Sequence, residues 1–293
     1  MKALIEVLST LIFTKSYDFG PAIVISFDVE SPVDSPIQDL NYAKELGFKS
    51  RMGLKRLLGI SNAYGIPFTL FCTGHALLRG CKGHKTVIKI LKKNRRYNLH
   101  VGEYLWHAAD PASNYVECPE FYYGDLIDDI TRSSAMHEIA SHSFSHIPYP
   151  LVDDGTAERD LNASTEVLKS YGLKPYSFAF PFNLVGKTHI LLKHGIKIVR
   201  VGHRSIRIIT YNDGLVMVKS DVTDLSINSL RWWIKIADLL VKKRTLLSWY
   251  LHPITLYNDE AYRIFEEVVK ILIKKEVNFL TFRKLHMLVS HSQ

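Results

Sequence analysis

Short continuous apolar runs, each ending in polar residues, alternate along the chain with longer segments of helical periodicity. The first run, 22–27, reads Ala-Ile-Val-Ile-Ser-Phe and passes into Asp28-Val29-Glu30, the pattern of a strand buried on both faces with carboxylates at its C-terminal end. Ser31-Pro32 and Ser35-Pro36 break regular structure, a helix is expected over 49–64 and Gly65 ends it. A second buried strand over 66–72 turns at Thr73-Gly74-His75. Helices are expected near 84–94 and 124–134, either side of a polar, aromatic segment, 99–123, holding Tyr104, Trp106, His107, Tyr115, Tyr122 and Tyr123. Such a segment is either a satellite core or a loop lining a cleft.

The alternation continues with a strand at 138–141, a helix at 154–171, a strand at 176–181, a short helix at 186–194 and a strand at 196–201. Strands near 206–210 and 215–219, a helix at 225–243, a strand at 246–251, a helix at 258–275 and a closing strand at 277–282 complete it. Strand and helix in turn predict a parallel sheet wrapped by helices, in one domain. Asp28 and Glu30, His142 and His146, Asn183 and His252 all fall where strands end. In a barrel that is the face on which active sites are built.

Composition changes this picture little. Of 293 residues 47% are hydrophobic and 23% charged, ordinary for a globular protein with a large core. The 37 basic and 29 acidic residues leave a net charge of +8. The basic groups are dispersed, and the densest, Lys92 to Arg96 and Lys242 to Arg244, are expected at helix C-termini, so nucleic-acid binding is not expected. Cys72, Cys81 and Cys118 have no framework spacing, which implies neither disulfides nor a cysteine-type zinc site and fits a reducing, cytoplasmic compartment. The apolar opening at 1–13 is interrupted by Glu6, with no cleavage site after it, and no segment is long enough to span a bilayer. A peripheral helix touching a membrane is left open, and nothing sets an oligomeric state.

The chemistry concentrates in His142-Ser143-Phe144-Ser145-His146. Two imidazoles four apart share one face of a helical turn and can converge on one ion, with a carboxylate as third ligand and a position left open for water. A second carboxylate to accept a proton and a further histidine to donate one complete the parts for hydrolysis.

Taken together, these segments resemble the polysaccharide deacetylases, the NodB-homology or fourth carbohydrate esterase family. Ser26-Phe27-Asp28-Val29-Glu30 is similar to the family's first motif, His142 to His146 to its second, Phe180-Pro181-Phe182-Asn183 to its third and Trp249-Tyr250-Leu251-His252-Pro253 to its last. They stand in the family's order over about residues 20 to 285. The resemblance implies a distorted (β/α) barrel of about seven parallel strands that uses a divalent metal, most often zinc, to remove acetyl groups from N-acetylated sugars. It makes Asp28 the general base, His142 and His146 metal ligands, His252 the general acid and the Phe182 N–H an oxyanion donor, with Trp106, Pro181 and Asn183 expected against the substrate. Where many members have a second aspartate this chain has Val29, which shifts the carboxylate ligand to Glu30. The arginine that many carry beside the third motif is missing, with Arg200 or Arg204 as replacements, and Asp221 and Asp224 are candidates to support His252. Hydrolysis of another non-peptide C–N bond and non-catalytic carbohydrate binding are the alternatives.

Overall fold

The computed structural model describes residues 20–84, 86–202, 208–220, 222–223 and 229–290. Strand β1, Ala22–Val29, is buried along its whole length within a nine-stranded sheet. In order along the sheet stand β10 (Leu246–Leu251), β1, β2 (Thr69–Cys72), β5 (Glu138–Ser141), β6 (Ser177–Ala179), β7 (Ile198–Val201), β9 (Leu215–Lys219) and β8 (Ile209–Asn212), while β11 (Asn278–Leu280) pairs with the first half of β1. The seven strands from β10 to β9 run parallel and β8 alone is antiparallel. Val222, just past β9, bridges Trp249 of β10. This is the expected α/β architecture, a distorted barrel.

The period of two within strands divides the structure. Ile23, Ile25 and Phe27 of β1 face outward into a core shared with the helices α1 (Leu40–Tyr64), α5 (Leu230–Lys243) and α6 (Asp259–Lys274). Ala22 and Val24 face inward and meet Phe71, Ala140, Ala179, Ile198 and Val218 from the neighbouring strands. The same parity places Asp28, His142, Arg200 and His252 on the inner side. Phe282, Leu285 and Val289 of the C-terminal helix α7 (Phe282–Ser290) fill that space at the strands' N-terminal end, leaving the polar residues to the other end.

Several expected elements differ. α1 begins at Leu40, well before 49, because Asp39 caps it, its carboxylate accepting the Asn41 and Tyr42 amides at 2.9 and 3.1 Å. The segment expected as a helix over 84–94 is strand β3 (Thr86–Ile90), paired antiparallel with β4 (Gly102–Trp106). Its β-branched residues alternate, Val87 out and Ile88 in, Lys89 out and Ile90 in, which is a period of two. Lys92 to Arg96 therefore lie in the turn of that hairpin and not at a helix end, whereas Lys242 and Lys243 do close α5. The closing strand stops at Leu280 and gives way to α7, capped partly from a distance: Phe282 N donates to Thr69 Oγ1 at 2.9 Å and Arg283 N to the Glu138 carboxylate at 2.8 Å. Helices α2 (Leu126–Arg132), α3 (Asp154–Ser170) and α4 (Thr188–Lys193) stand close to where they are expected. Parts of the strand at 206–210 and of the helix at 225–243 lie outside the described residues.

Candidate active site

The inner face brings Asp28, Glu30, His142, His146, Arg200 and His252 together at the C-terminal ends of β1, β5, β7 and β10. Glu30 Oε1 lies 3.3 Å from His142 Nε2 and 3.3 Å from His146 Nε2. Tetrahedral N and O ligands at about 2.0–2.2 Å from a zinc-like ion are separated by about 3.3–3.6 Å, so Glu30 stands from each imidazole at the spacing of two ligands of one ion, and the three donor atoms lie within 4.8 Å of one another. His142 Nδ1 donates to the Ala179 carbonyl at 2.8 Å, which leaves the buried Nε2 without a hydrogen bond and with its lone pair toward Glu30. An orphaned ring nitrogen whose other nitrogen is fixed by a carbonyl is the arrangement of a metal-ligating histidine. Burial pushes the Glu30 carboxyl up, but the His146 and His142 imidazoles outweigh it and hold Glu30 well below the usual carboxylate range. The donor set fits a divalent cation.

The two imidazoles do not share a helical turn, as their spacing alone suggests. β5 ends at Ser141 and the chain loops, with Ser143 at φ 70° and His146 at φ 53°. Buried Asp160 of α3 holds this shape, accepting the Phe144 and Ser145 amides at 3.0 and 2.9 Å. From the other side Gly74 N donates to the Ser143 carbonyl at 2.8 Å. A Cβ on Gly74 would stand 2.6 Å from the Phe144 ring, so the close approach needs glycine.

Trp106 takes part in the same support. It is fully buried and its indole N–H donates to the Ser145 carbonyl at 2.6 Å, so the expectation that it faces substrate is corrected. Its segment is a core rather than a cleft lining: Phe121, Tyr122, Tyr123 and His107 are buried as well.

Asp28 is gripped through both oxygens by the guanidinium of fully buried Arg200. β1 and β7 are four strands apart, about 19 Å in a flat sheet, so this contact exists only because the sheet curls. Arg200 also lies over the Tyr250 ring, 4.4 Å from its centroid. Burial pushes the Asp28 carboxyl up, yet Arg200 and the nearby imidazoles outweigh it and keep the group below its ordinary range. Arg200 thus stands where the missing arginine of the third motif was sought; Arg204, Asp221 and Asp224 lie outside the described residues. His252 is 37% exposed, its Nε2 3.9 Å from Asp28 and 3.7 Å from Glu30, which leaves one side open to an incoming molecule.

Pro181 is buried beneath the rim. Phe182 and Asn183 follow it with φ of 57° and 53°. This turn lays the Phe182 ring against His146, with centroids 4.6 Å apart, and the Phe182 carbonyl accepts from Tyr97 Oη at 2.6 Å. Asn183 Nδ2 donates to Tyr250 Oη at 3.2 Å. Asp160, Trp106 and Tyr97 are the supporting residues that sequence reasoning did not single out as such.

A family model, polysaccharide deacetylase, matches residues 47–199, and the chain belongs to that family. The matched span includes His142 and His146 but not Asp28, Glu30 or His252. Among solved structures, a Mycobacterium smegmatis protein described as a candidate polysaccharide deacetylase superposes with a TM-score of 0.64 at 16% identity, over 95% of this chain and 93% of that one. The PuuE allantoinase gives 0.64 at 14% over 93% and 91%, and a probable polysaccharide deacetylase of Pseudomonas aeruginosa PAO1 gives 0.63 at 13% over 93% and 91%. At these identities the likeness is one of fold. No curated protein matches the sequence. No helix among the described residues is long and apolar enough to cross a membrane.

Proposed function

We propose that the chain is a metal-dependent hydrolase that removes acetyl groups from N-acetylated sugars. The observation that carries the reading is the division of labour between two carboxylates. Glu30 Oε1 sits equidistant from two imidazole nitrogens, while both oxygens of Asp28 are held by Arg200. Glu30, His142 and His146 would hold the ion, most simply zinc. When bound, such an ion polarises the amide carbonyl and acidifies the attacking water.

The chain's own groups then move the protons. Asp28, kept ionised and oriented by Arg200, accepts a proton from the attacking water. The Phe182 N–H, on a turn fixed by Pro181, donates to the oxygen on which negative charge develops. His252 gives a proton to the departing sugar amine, so acetate and a free amine result. Asn183 and the half-buried Phe182 ring would border the sugar. The allantoinase among the structures of similar fold is named for another substrate, allantoin; the set of two imidazoles and Glu30 supports a metal-assisted reaction.

Acetate release from a panel of N-acetyl sugars, measured with the metal content of the same preparation, tests this. Asp28→Asn is expected to keep metal and lose about a hundred- to ten-thousand-fold in rate, as loss of a general base does. Glu30→Gln is expected to lose metal, with activity partly restored by excess zinc. Metal lost from the Asp28 variant and kept by the Glu30 variant would reverse the two roles. Full activity and full metal in both would end the proposal.

A further inference from the structure

A second cluster of ligand-type side chains stands behind the first site, outside the groups given a catalytic role. Cys81 Sγ lies 2.9 Å from His84 Nδ1 and 2.9 Å from Asp110 Oδ2, and His75 Nε2 lies 3.3 Å from the same carboxylate oxygen. The four donor atoms all fall within 4.8 Å of one another. Zinc bonds of about 2.3 Å to sulfur and about 2.0–2.2 Å to N or O place tetrahedral donors about 3.3–3.7 Å apart; the His75–Asp110 spacing matches, while the two sulfur contacts, one of them the Cys81 thiol donating to Asp110, are those of hydrogen bonds and lengthen by more than half an ångström when an ion replaces the protons.

The surroundings are built for the same purpose. Gly83 N donates to Cys81 Sγ at 3.0 Å, which fixes the position of the sulfur. Asp110 is fixed by the Tyr122 hydroxyl at 2.5 Å and the Ala112 amide at 3.0 Å on its other oxygen, while Oδ2, which accepts the His84 amide at 3.0 Å, faces the cluster. His75 is wholly buried and its Nδ1, which makes no hydrogen bond, lies 3.3 Å from Asp34 Oδ1, so a carboxylate stands behind the imidazole where such partners of ligating histidines are found. Asp34 Oδ1 has no hydrogen bond and lies 3.4 Å from the buried His107 Nε2, which has none either. These donors meet around one centre and not in series, which distinguishes them from a cysteine nucleophile with a base and an orienting carboxylate behind it.

We propose that His75, Cys81, His84 and Asp110 form a second, closed divalent-metal site of the zinc type, structural in role, with Asp34 holding His75 from behind. Four protein ligands leave no open position, unlike the three of the first site. The ligands come from just after β2, just before β3 and just after β4, so one ion would pin both ends of the β3–β4 hairpin. The site is also joined to the first one. The Phe144 ring, between the two catalytic-site imidazoles, packs edge-on to His75 and His84 with centroids 5.9 and 5.5 Å away. Asp34 Oδ2 accepts the Ser31 amide at 3.0 Å, next to Glu30. The three-cysteine pattern gives no hint of this because one thiol joins two imidazoles and a carboxylate spread from 75 to 110.

The full chain purified from zinc-supplemented medium is expected to carry two metal equivalents by mass spectrometry. With cobalt in place of zinc, a thiolate-to-cobalt charge-transfer band is expected, since the first site holds no sulfur. Cys81→Ser is expected to remove the band and one equivalent, and His146→Ala to remove one equivalent and leave the band. Wild-type protein without the band, whatever its metal content, overturns the proposal, and needs no variant to fold. A band that persists in Cys81→Ser overturns it as well. One equivalent with the band in wild type would uphold the second site and count against metal at the first.

Discussion

Arg200 decides what Asp28 is able to do. A planar guanidinium holding both carboxylate oxygens fixes the plane of Asp28 and keeps it charged, at some cost in basicity, while leaving the proposed ligand role to Glu30. Lysine keeps the charge and loses the fork. Arg200→Lys is therefore expected to retain metal and lower kcat by ten- to a thousand-fold with little change in KM, measured by acetate release beside metal analysis; loss of metal would mean that Arg200 supports the ligand set instead. His252 is separable from both. His252→Ala is expected to slow amides strongly and esters of the same sugar little, because an alkoxide leaving group needs less help from an acid than an amine does. Equal losses on both substrates would take His252 out of the protonation step.

At the scale of elements, the second motif works only as a loop clamped from three sides. The convergence of His142 and His146 is legible from their spacing, but the local reading of a helical turn is wrong because Asp160, Gly74 and Trp106, distant in sequence, force left-handed backbone at Ser143 and His146. Asp160→Ala leaves two buried amide donors unsatisfied, at about 1–3 kcal/mol each. The expected result is a lower Tm together with metal affinity weakened about ten- to a hundred-fold, as loss of a supporting partner does. Unchanged metal affinity in a destabilised variant would make Asp160 purely structural. The long strands and helices were legible because burial imposes one period on many residues. The helical expectation over Thr86–Ile90 fails since its exposed Lys89 and flanking lysines look helical until its partner β4 is known. α7 is not legible because the apolar run before it continues into Phe282 and part of its cap comes from Thr69 and Glu138. Arg200 was only one of two candidates, since its pairing with Asp28 spans 172 residues and depends on the curl of the sheet.

Across the whole molecule the strand ends divide the work, chemistry at the C-terminal ends and stability at the N-terminal ends. At the stabilising end His137, just before β5, accepts the Phe68 amide on Nδ1 at 3.1 Å, and its Nε2 lies 3.0 Å from Ser61 Oγ. The Ser61 hydroxyl donates to the Ile66 carbonyl at 2.7 Å, so Nε2 must carry the ring's proton and Nδ1 must be bare. Burial lowers this imidazole from 6.5 to about 4, and a second proton would stand against the Phe68 N–H. The folded state therefore binds fewer protons than the unfolded chain between those values. The stabilisation is complete above pH 6.5 and is lost as the pH falls toward 4, with a slope of at most about 1.4 kcal/mol per pH unit for one proton. Other histidines titrate in the same window, so the informative quantity is the difference between wild type and His137→Gln, which keeps a donor and an acceptor but no titration. Denaturant unfolding at pH 7 and pH 5 is expected to show the wild type losing more stability than the variant, while acetate release at pH 7 is the same in both. Parallel losses in the two proteins would remove His137 as the acid-sensitive group of this end.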